Sequence, residues 1–130
     1  MQETLILDAS AALRLTLGEP LPEQWLERLQ SATRVLAPAL MQTEVANALW
    51  KLQRAQRLNN LKPQDLLLDA CALVDHFHDD RPLLLESIAL AEHLQHPVYD
   101  CLYLTLARRE AGAVLTADRK LQQLAAMVLP

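Results

Sequence analysis

Short apolar runs without polar alternation predict the strands of this chain. Residues 4–7, 34–37 and 113–116 are the clearest of these runs. Such a run suits a strand that is covered on both faces, as strands of a parallel sheet are. A weaker third strand is expected over residues 81–85, and residues 127–129 are expected to form a last edge strand.

Apolar positions at three- and four-residue intervals predict helices between these strands. The first is expected from residue 9 to a break at Gly18, and the second begins at Pro22. Further helices are expected over about 39–59, from Pro63 onward, over 85–96 and 98–111, and directly after Asp118. Strands embedded between helices favour parallel pairing with helices on both faces. The predicted fold is therefore a helix-rich α/β/α sandwich of three layers around a short, mostly parallel sheet.

Length and composition limit the possible classes of protein. With 130 residues the chain is long enough for one domain, expected to span 1–130. A hydrophobic share of 52% and a charged share of 22% exclude intrinsic disorder. The chain has two glycines, Gly18 and Gly112, which are far apart. Nucleotide-binding enzymes that use a glycine-rich phosphate loop or a dinucleotide fingerprint are therefore excluded.

The cysteines and the first residues predict the compartment. Cys71 and Cys101 match no zinc or redox spacing and resemble small buried hydrophobic residues, which suits a reducing cytoplasm. The opening residues Met-Gln-Glu-Thr lack the basic charge of a signal peptide, and no apolar run reaches membrane-spanning length. We therefore expect a cytoplasmic protein that does not contact a membrane.

Four acidic residues interrupt apolar stretches at the ends of strands or the starts of helices. Asp8 follows the first strand and Asp118 follows the run 113–116, whereas Glu44 and Asp100 follow Pro38 and Pro97 in the first turns of helices. Because ligands of open parallel sheets bind beyond the carboxyl ends of the strands, all four are expected at one edge of the sheet. Taken singly, each acid has a simpler explanation, as a helix cap or as a partner of the helix dipole, and only the four together point to a site.

Crowded carboxylates need either protons or a multivalent cation. Two of them about 4 Å apart repel by roughly 4 kcal/mol at an effective dielectric constant near 20. Ligands that are all oxygen suit Mg²⁺ or Mn²⁺, and the absence of a well-placed His or Cys argues against zinc. A pocket of this kind stabilises in-line displacement at phosphorus, which makes phosphoryl chemistry the expected use of such a site.

Four segments carry a resemblance to a known family. They are Leu-Ile-Leu-Asp-Ala-Ser at 5–10, Ala-Pro-Ala-Leu-Met-Gln-Thr-Glu-Val-Ala-Asn-Ala-Leu at 37–49, Pro-Val-Tyr-Asp-Cys-Leu-Tyr-Leu-Thr-Leu-Ala at 97–107 and Val-Leu-Thr-Ala-Asp-Arg-Lys-Leu at 114–121. In this order and over nearly the whole chain, they resemble the PIN-domain ribonucleases, and among those the VapC toxins of type II toxin–antitoxin pairs.

This resemblance implies the roles of individual residues and of partners. Asp8, Glu44, Asp100 and Asp118 would form the acidic metal site and act in catalysis, while Ser10 and Thr116 match the small hydroxyl residues that accompany the first and last acids. The implied activity is cleavage of RNA with Mg²⁺, or Mn²⁺ as a substitute, leaving a 5′-phosphate and a 3′-hydroxyl. The implied assembly is a homodimer, neutralised by an antitoxin that lays a peptide across the active site.

Basic residues near these acids are candidates for holding RNA. Lys51 and Arg54 belong to a basic stretch without acids, and Arg119 and Lys120 directly follow Asp118. They would contact phosphates beside the acidic pocket. The simpler explanation for the first pair is a solvated helix surface that faces the acidic stretch 65–80, and a capped helix surface explains the second pair equally well.

Two other functions are compatible with the residues. A receiver-like signalling module also has an acidic Mg²⁺ pocket, but it would place paired acids after the first strand, where Asp8 stands alone. A non-catalytic interaction domain would use the carboxylates only as helix caps. The neighbouring His76 and His78 are expected in a solvated turn, because residues two apart on a helix do not face each other.

Overall fold

A parallel sheet of four short strands lies at the centre of the molecule. In the computed structural model, which describes residues 3–130, the strands follow the order β3-β2-β1-β4. They are β1 (Thr4–Leu7), β2 (Arg34–Pro38), β3 (His76–His78) and β4 (Ala113–Leu115). Parallel pairing joins β1 to β2, β1 to β4 and β2 to β3. The prediction of an α/β fold with a parallel sheet is confirmed.

Seven α-helices connect and flank these strands within the described residues. They are α1 (Ala9–Leu17), α2 (Glu23–Ser31), α3 (Leu40–Arg54), α4 (Pro63–Ala72), α5 (Leu84–Leu94), α6 (Val98–Glu110) and α7 (Arg119–Val128), and a short 3-10 helix spans Arg81–Leu83. The chain moves from β1 outward to β2 and β3, and then crosses the sheet to β4 on the other side of β1. With right-handed crossovers, this reversal places α1–α4 on one face and α5–α6 on the other. The result is the expected three-layer sandwich.

Local chemistry explains where several helices begin and end. The Asp8 carboxylate accepts a hydrogen bond from the Ala11 backbone N–H and thereby caps α1. Gly18 ends α1 in the left-handed conformation (φ 69°), which a residue with a side chain adopts only at a cost. Asp118 caps α7 by accepting from the backbone N–H groups of Lys120 and Leu121. The first and last acids of the candidate site are therefore also helix caps.

The third strand lies elsewhere than predicted. The prediction of a strand over 81–85 is wrong, since that segment is the 3-10 helix followed by the start of α5. Pro82 has no backbone N–H to donate to a neighbouring strand. The strand is His76–His78 instead, so the two histidines do not lie in a turn, and their rings meet edge to face at 4.7 Å.

Two further element boundaries differ from the sequence prediction. Residues 127–129 do not form a strand, because α7 continues through Val128. Helix α3 ends at Arg54 rather than near 59, so Arg57 lies beyond the helix that carries Lys51. Gln56 and Asn59 adopt positive φ there, which is incompatible with a continued helix.

The hydrophobic core fills both sides of the sheet. The three residues Leu5, Ile6 and Leu7 are fully buried, as expected for a strand covered on both faces. Helix α6 is buried over its middle, and Leu104 joins a second apolar cluster with Leu121 of α7. None of the helices within residues 3–130 has the length and apolar character needed to cross a membrane.

Candidate active site

All four predicted acids line one pocket at the carboxyl edge of the sheet. The pocket has a volume of about 290 Å³, and its wall includes Asp8, Glu44, Asp100 and Asp118. Asp8 follows β1 and Asp118 follows β4, the two strands at which the chain reverses its direction across the sheet. At such a reversal, the chain segments that follow the two strands lie on opposite faces of the sheet, with a crevice between them. Open α/β sheets bind their ligands in this crevice.

Asp8 is the most deeply buried of the four. Only 5% of the residue is exposed, and its carboxylate accepts hydrogen bonds from the Ala11 backbone N–H (2.9 Å), from Ser10 Oγ (2.8 and 3.0 Å) and from Thr116 Oγ1 (2.5 Å). Burial raises the pKa of Asp8, the three hydrogen bonds oppose that rise, and the charge of Asp100 adds to it. The carboxylate is therefore fixed in orientation but costly to ionise.

The two predicted supporting residues form a small hydroxyl network around Asp8. Ser10 Oγ and Thr116 Oγ1 lie 3.2 Å apart, and each also contacts the Asp8 carboxylate. The backbone N–H of Ala117 donates to Ser10 Oγ, and that of Asp118 donates to Thr116 Oγ1, both at 3.0 Å. The network ties the end of β4 to the end of β1, so it holds the first and last acids in register.

Glu44 is half-buried and is held by a tyrosine. The Tyr103 hydroxyl donates to Glu44 Oε1 at 2.6 Å, and Tyr103 is only 1% exposed. Desolvation raises the pKa of Glu44, the Tyr103 hydrogen bond opposes this, and the charges of Asp100, Asp8 and Asp80 raise it further. Glu44 therefore lies in a field of neighbouring carboxylates that disfavours its ionised form.

The remaining two acids have different protein partners. The Nε2 atom of His96 lies 2.6 Å from Asp100 Oδ2. His96 precedes α6, and Asp100 lies four residues later in the first turn of that helix. Asp118 is exposed and accepts the Lys120 backbone N–H at Oδ1 (2.8 Å). Each of the four acids is thus oriented by at least one hydrogen-bond contact.

The donor set fits a hard divalent cation. Within the described chain, the residues that line the pocket include four carboxylates and neither Lys nor Arg, so no basic side chain in the wall compensates their charge. All-oxygen donors of high charge suit Mg²⁺ or Mn²⁺. As placed, the side chains of residues 3–130 form no group of three or more His, Cys, Asp or Glu that would hold an ion. Binding one therefore requires the carboxylates to move toward each other.

The four predicted substrate-binding residues are all exposed, but they lie at different distances from the pocket along the chain. Arg119 and Lys120 begin α7 directly after Asp118. Lys51 lies seven residues after Glu44 on α3, about 10 Å further along the same helix face. Arg54 instead stacks on exposed Trp50, with its guanidinium carbon 5.4 Å from the ring centroid.

Three residues beside the acids were missed by reasoning from the sequence. Tyr103 and His96 contact Glu44 and Asp100, and Asp80 follows β3 and accepts the Leu40 backbone N–H at the start of α3 (3.1 Å). A signal for two of them is present in the spacing. Asp100 and Tyr103 are three residues apart on α6 and share one helix face, and His96 lies four residues before Asp100, just ahead of that helix. No such signal exists for Asp80, because the preceding strand was not recognised.

Comparisons with known proteins agree with the fold. The family model described as PIN domain matches residues 5–127. The chain is 32% identical over 129 residues to Ribonuclease VapC3 of Pyrobaculum aerophilum, which covers 97% of this chain and 98% of that relative. It also resembles the crystal structure of PAE2754 from Pyrobaculum aerophilum, with a TM-score of 0.73 and 23% identity over 94% of this chain and 84% of that one. The structural likeness supports the fold alone.

Proposed function

Because the chain belongs to the PIN domain family, we propose that it is an endoribonuclease that depends on Mg²⁺ or Mn²⁺ and acts as the toxin of a type II toxin–antitoxin pair. The similarity to Ribonuclease VapC3 supports the activity on RNA. The observation that carries the proposal is the meeting of Asp8, Glu44, Asp100 and Asp118 around one pocket, although they come from four separate segments of the chain.

The four carboxylates are the proposed metal ligands and catalytic residues. Asp8, Asp100 and Glu44 would hold one ion, and Asp118 would complete that site or hold a second ion. When bound, a divalent ion supplies charge neutralisation at the phosphodiester and lowers the pKa of water, which provides a nucleophile at neutral pH. The products are a 5′-phosphate and a 3′-hydroxyl.

The surrounding residues prepare the site for this chemistry. Ser10 and Thr116 hold the Asp8 carboxylate in a fixed orientation, so no reorganisation of that group is needed when the substrate arrives. Burial of Asp8 at the base of the pocket excludes water and strengthens its interaction with a cation. Arg119 and Lys120, next to Asp118, would contact RNA phosphates, and Lys51 and Arg54 on α3 would add further phosphate contacts.

The proposed assembly follows from the same family relationship. The chain would act as one domain over residues 1–130, in the cytoplasm, as a homodimer without contact to a membrane. A cognate antitoxin would lay a peptide across the pocket, and basic side chains in that peptide would complement the four carboxylates. Co-expression of the chain with the product of a small neighbouring reading frame, followed by co-purification and mass measurement in solution, tests both partners.

The decisive experiment measures RNA cleavage with and without a chelator in wild type, Asp8→Asn and Asp100→Asn. We expect cleavage to require Mg²⁺ or Mn²⁺ and to be lost in both variants. Asp69→Asn serves as a control, since Asp69 is an exposed acid on α4 outside the pocket. Undiminished cleavage by either pocket variant would contradict the proposal.

Thermal melts give a second readout that does not depend on activity. Mn²⁺ at 100 times its Kd should stabilise wild type by about 2.7 kcal/mol through mass action and so raise its melting temperature. It should raise the melting temperature of Asp8→Asn less. A purely capping role for the acids predicts no stabilisation. A stable acyl phosphate after incubation with a phosphodonor would support the receiver-like alternative instead.

A further inference from the structure

We propose that Tyr103 is a positioning residue that holds the Glu44 carboxylate in the pocket for divalent-cation binding. This inference rests on the proposed metal-dependent function, and it adds a residue that the acidic motif itself does not contain. Its basis is the hydrogen bond of 2.6 Å from the Tyr103 hydroxyl to Glu44 Oε1, made by a tyrosine that is 1% exposed.

The contact has the length of a charge-assisted hydrogen bond. Bonds from a hydroxyl to an ionised carboxylate are typically 2.5–2.7 Å long and roughly twice as strong as those between neutral groups. Burial and the neighbouring Glu44 carboxylate raise the pKa of the Tyr103 phenol, so the hydroxyl keeps its proton and remains the donor. The bond therefore stabilises the ionised form of Glu44, which is the form that binds a cation.

Without this bond, the Glu44 side chain is expected to rotate out of the pocket. Its side chain is long and only half-buried, and it is repelled by the charges of Asp100, Asp8 and Asp80. Rotation toward solvent would relieve both the desolvation and the repulsion. The Tyr103 hydroxyl opposes that rotation, and it contacts one carboxylate oxygen, so the other remains available to a metal ion.

The position of Tyr103 on α6 couples two of the acids. Asp100 lies three residues earlier on the same helix, so both side chains project from one face. The middle of α6 is buried from Cys101 to Ala107, which makes this helix a rigid support. Helix α6 thus supplies one acid directly and fixes a second acid, on α3, through Tyr103.

The test replaces Tyr103 by Phe, which removes only the hydroxyl, and measures the Kd of Mn²⁺ for the metal-free protein by titration calorimetry. We expect the Kd to rise about 10-fold, the lower end of the range for residues that orient metal ligands. Tyr99→Phe is the matched control, because Tyr99 lies on the same helix but is 63% exposed. Its Kd should stay within about twofold of wild type.

A double-mutant cycle separates positioning from a general loss of structure. If Tyr103 acts through Glu44, then Tyr103→Phe should change the Mn²⁺ affinity in the wild-type background but not in the Glu44→Gln background. An equal loss in both backgrounds, or an unchanged Kd in the wild-type background, would overturn the inference. Each of these two outcomes is compatible with a wild-type protein that binds Mn²⁺ and cleaves RNA, so the proposed function would stand. Wild-type protein that neither binds Mn²⁺ nor cleaves RNA would overturn both.

Folding and the hydrogen bond itself are checked separately. Loss of this hydrogen bond should lower the melting temperature of metal-free Tyr103→Phe by about 4 °C. In wild type, the Tyr103 hydroxyl proton should give a slowly exchanging NMR resonance that persists when Mg²⁺ is added. Its absence in the metal-free protein, or its loss on saturation with Mg²⁺, would contradict the positioning role even if the variant does not fold.

Discussion

The Thr116 hydroxyl donates a hydrogen bond of 2.5 Å to Asp8 Oδ2, although the two residues are 108 positions apart in the sequence. Asp8 lies at the end of β1 and Thr116 at the end of β4, which are adjacent parallel strands. The hydroxyl also accepts the Asp118 backbone N–H. A single side chain therefore connects the first and the last acid of the candidate site.

We expect Thr116→Val to reduce RNA cleavage at least 10-fold and to lower stability by about 1–3 kcal/mol. The valine keeps the shape of threonine but leaves the buried Asp8 oxygen and the Asp118 N–H without this partner. Steady-state cleavage assays and urea denaturation measure the two effects. Thr116→Ser should restore most of the activity, since it restores the hydroxyl. Thr16→Val removes a hydroxyl that donates to the Ala12 carbonyl in α1, outside the pocket, and it should leave cleavage unchanged.

The stability of the metal-free protein should depend on pH through Asp8. Its folded-state pKa is raised, mainly by burial, so the stabilisation that goes with its protonated form is fully present below the pKa of the unfolded chain. That stabilisation is lost as the pH rises through the folded-state pKa. We therefore expect the free energy of unfolding of Asp8→Asn, relative to wild type, to increase with pH.

Urea denaturation of metal-free wild type and Asp8→Asn at several pH values between 4 and 8 measures this difference. Asp69→Asn provides the control, because an exposed acid should give a difference that hardly changes with pH. The opposite result is that the free energy of unfolding of wild type rises with pH relative to that of Asp8→Asn. It would mean that the hydrogen bonds to Asp8 outweigh its desolvation, contrary to the prediction.

The His96 contact to Asp100 predicts a second effect on metal affinity. His96→Ala removes the partner that lies 2.6 Å from Asp100 Oδ2, so Asp100 should become more mobile and bind Mn²⁺ less tightly. We expect a Kd for Mn²⁺ about 10-fold higher by calorimetry. His93→Ala is the matched control, since His93 is exposed at the end of α5. Equal Mn²⁺ affinities of His96→Ala and His93→Ala would show that the His96 contact does not orient Asp100 for metal binding.

The basic residues at the start of α7 should contribute to RNA binding through charge. We expect the double variant Arg119→Ala/Lys120→Ala to bind RNA more weakly. The slope of log K against log salt concentration should become less steep by about 0.7 for each phosphate contact that is lost. Binding is measured at several salt concentrations in the Asp100→Asn background, which prevents cleavage. Arg57→Ala, an exposed basic residue beyond α3, should change neither quantity. If the slope for Arg119→Ala/Lys120→Ala equals the slope for Arg57→Ala, Arg119 and Lys120 do not contact the RNA phosphates.

Much of the fold is encoded in local patterns that the sequence displays directly. The continuous apolar residues of β1, β2 and β4 predicted buried parallel strands, and Pro63 predicted a helix start. The four acids could be placed at one edge of the sheet because parallel strands share their carboxyl edge. These features depend on residues a few positions apart, which is the range over which backbone preference and hydrophobic periodicity act.

Elements that depend on distant partners were not predictable in the same way. Strand β3 has only three residues, and two of them are histidines, so its formation depends on pairing with Leu36–Pro38 rather than on its own apolar character. Residues 127–129 show the reverse case. Their apolar run resembles a strand, but no strand within residues 3–130 pairs with it, and α7 extends through Val128 to pack against the second apolar cluster.

The sequence by itself determined which residue types are available to the candidate site and at which edge of the sheet they lie. Only the tertiary structure decided how each acid is held: Asp8 by Thr116, Glu44 by Tyr103 and Asp100 by His96. The first two of these contacts join residues that are 108 and 59 positions apart. Local propensity carries no information about such pairs, since they arise only when the packing of strands and helices around the pocket has brought the side chains within hydrogen-bonding distance.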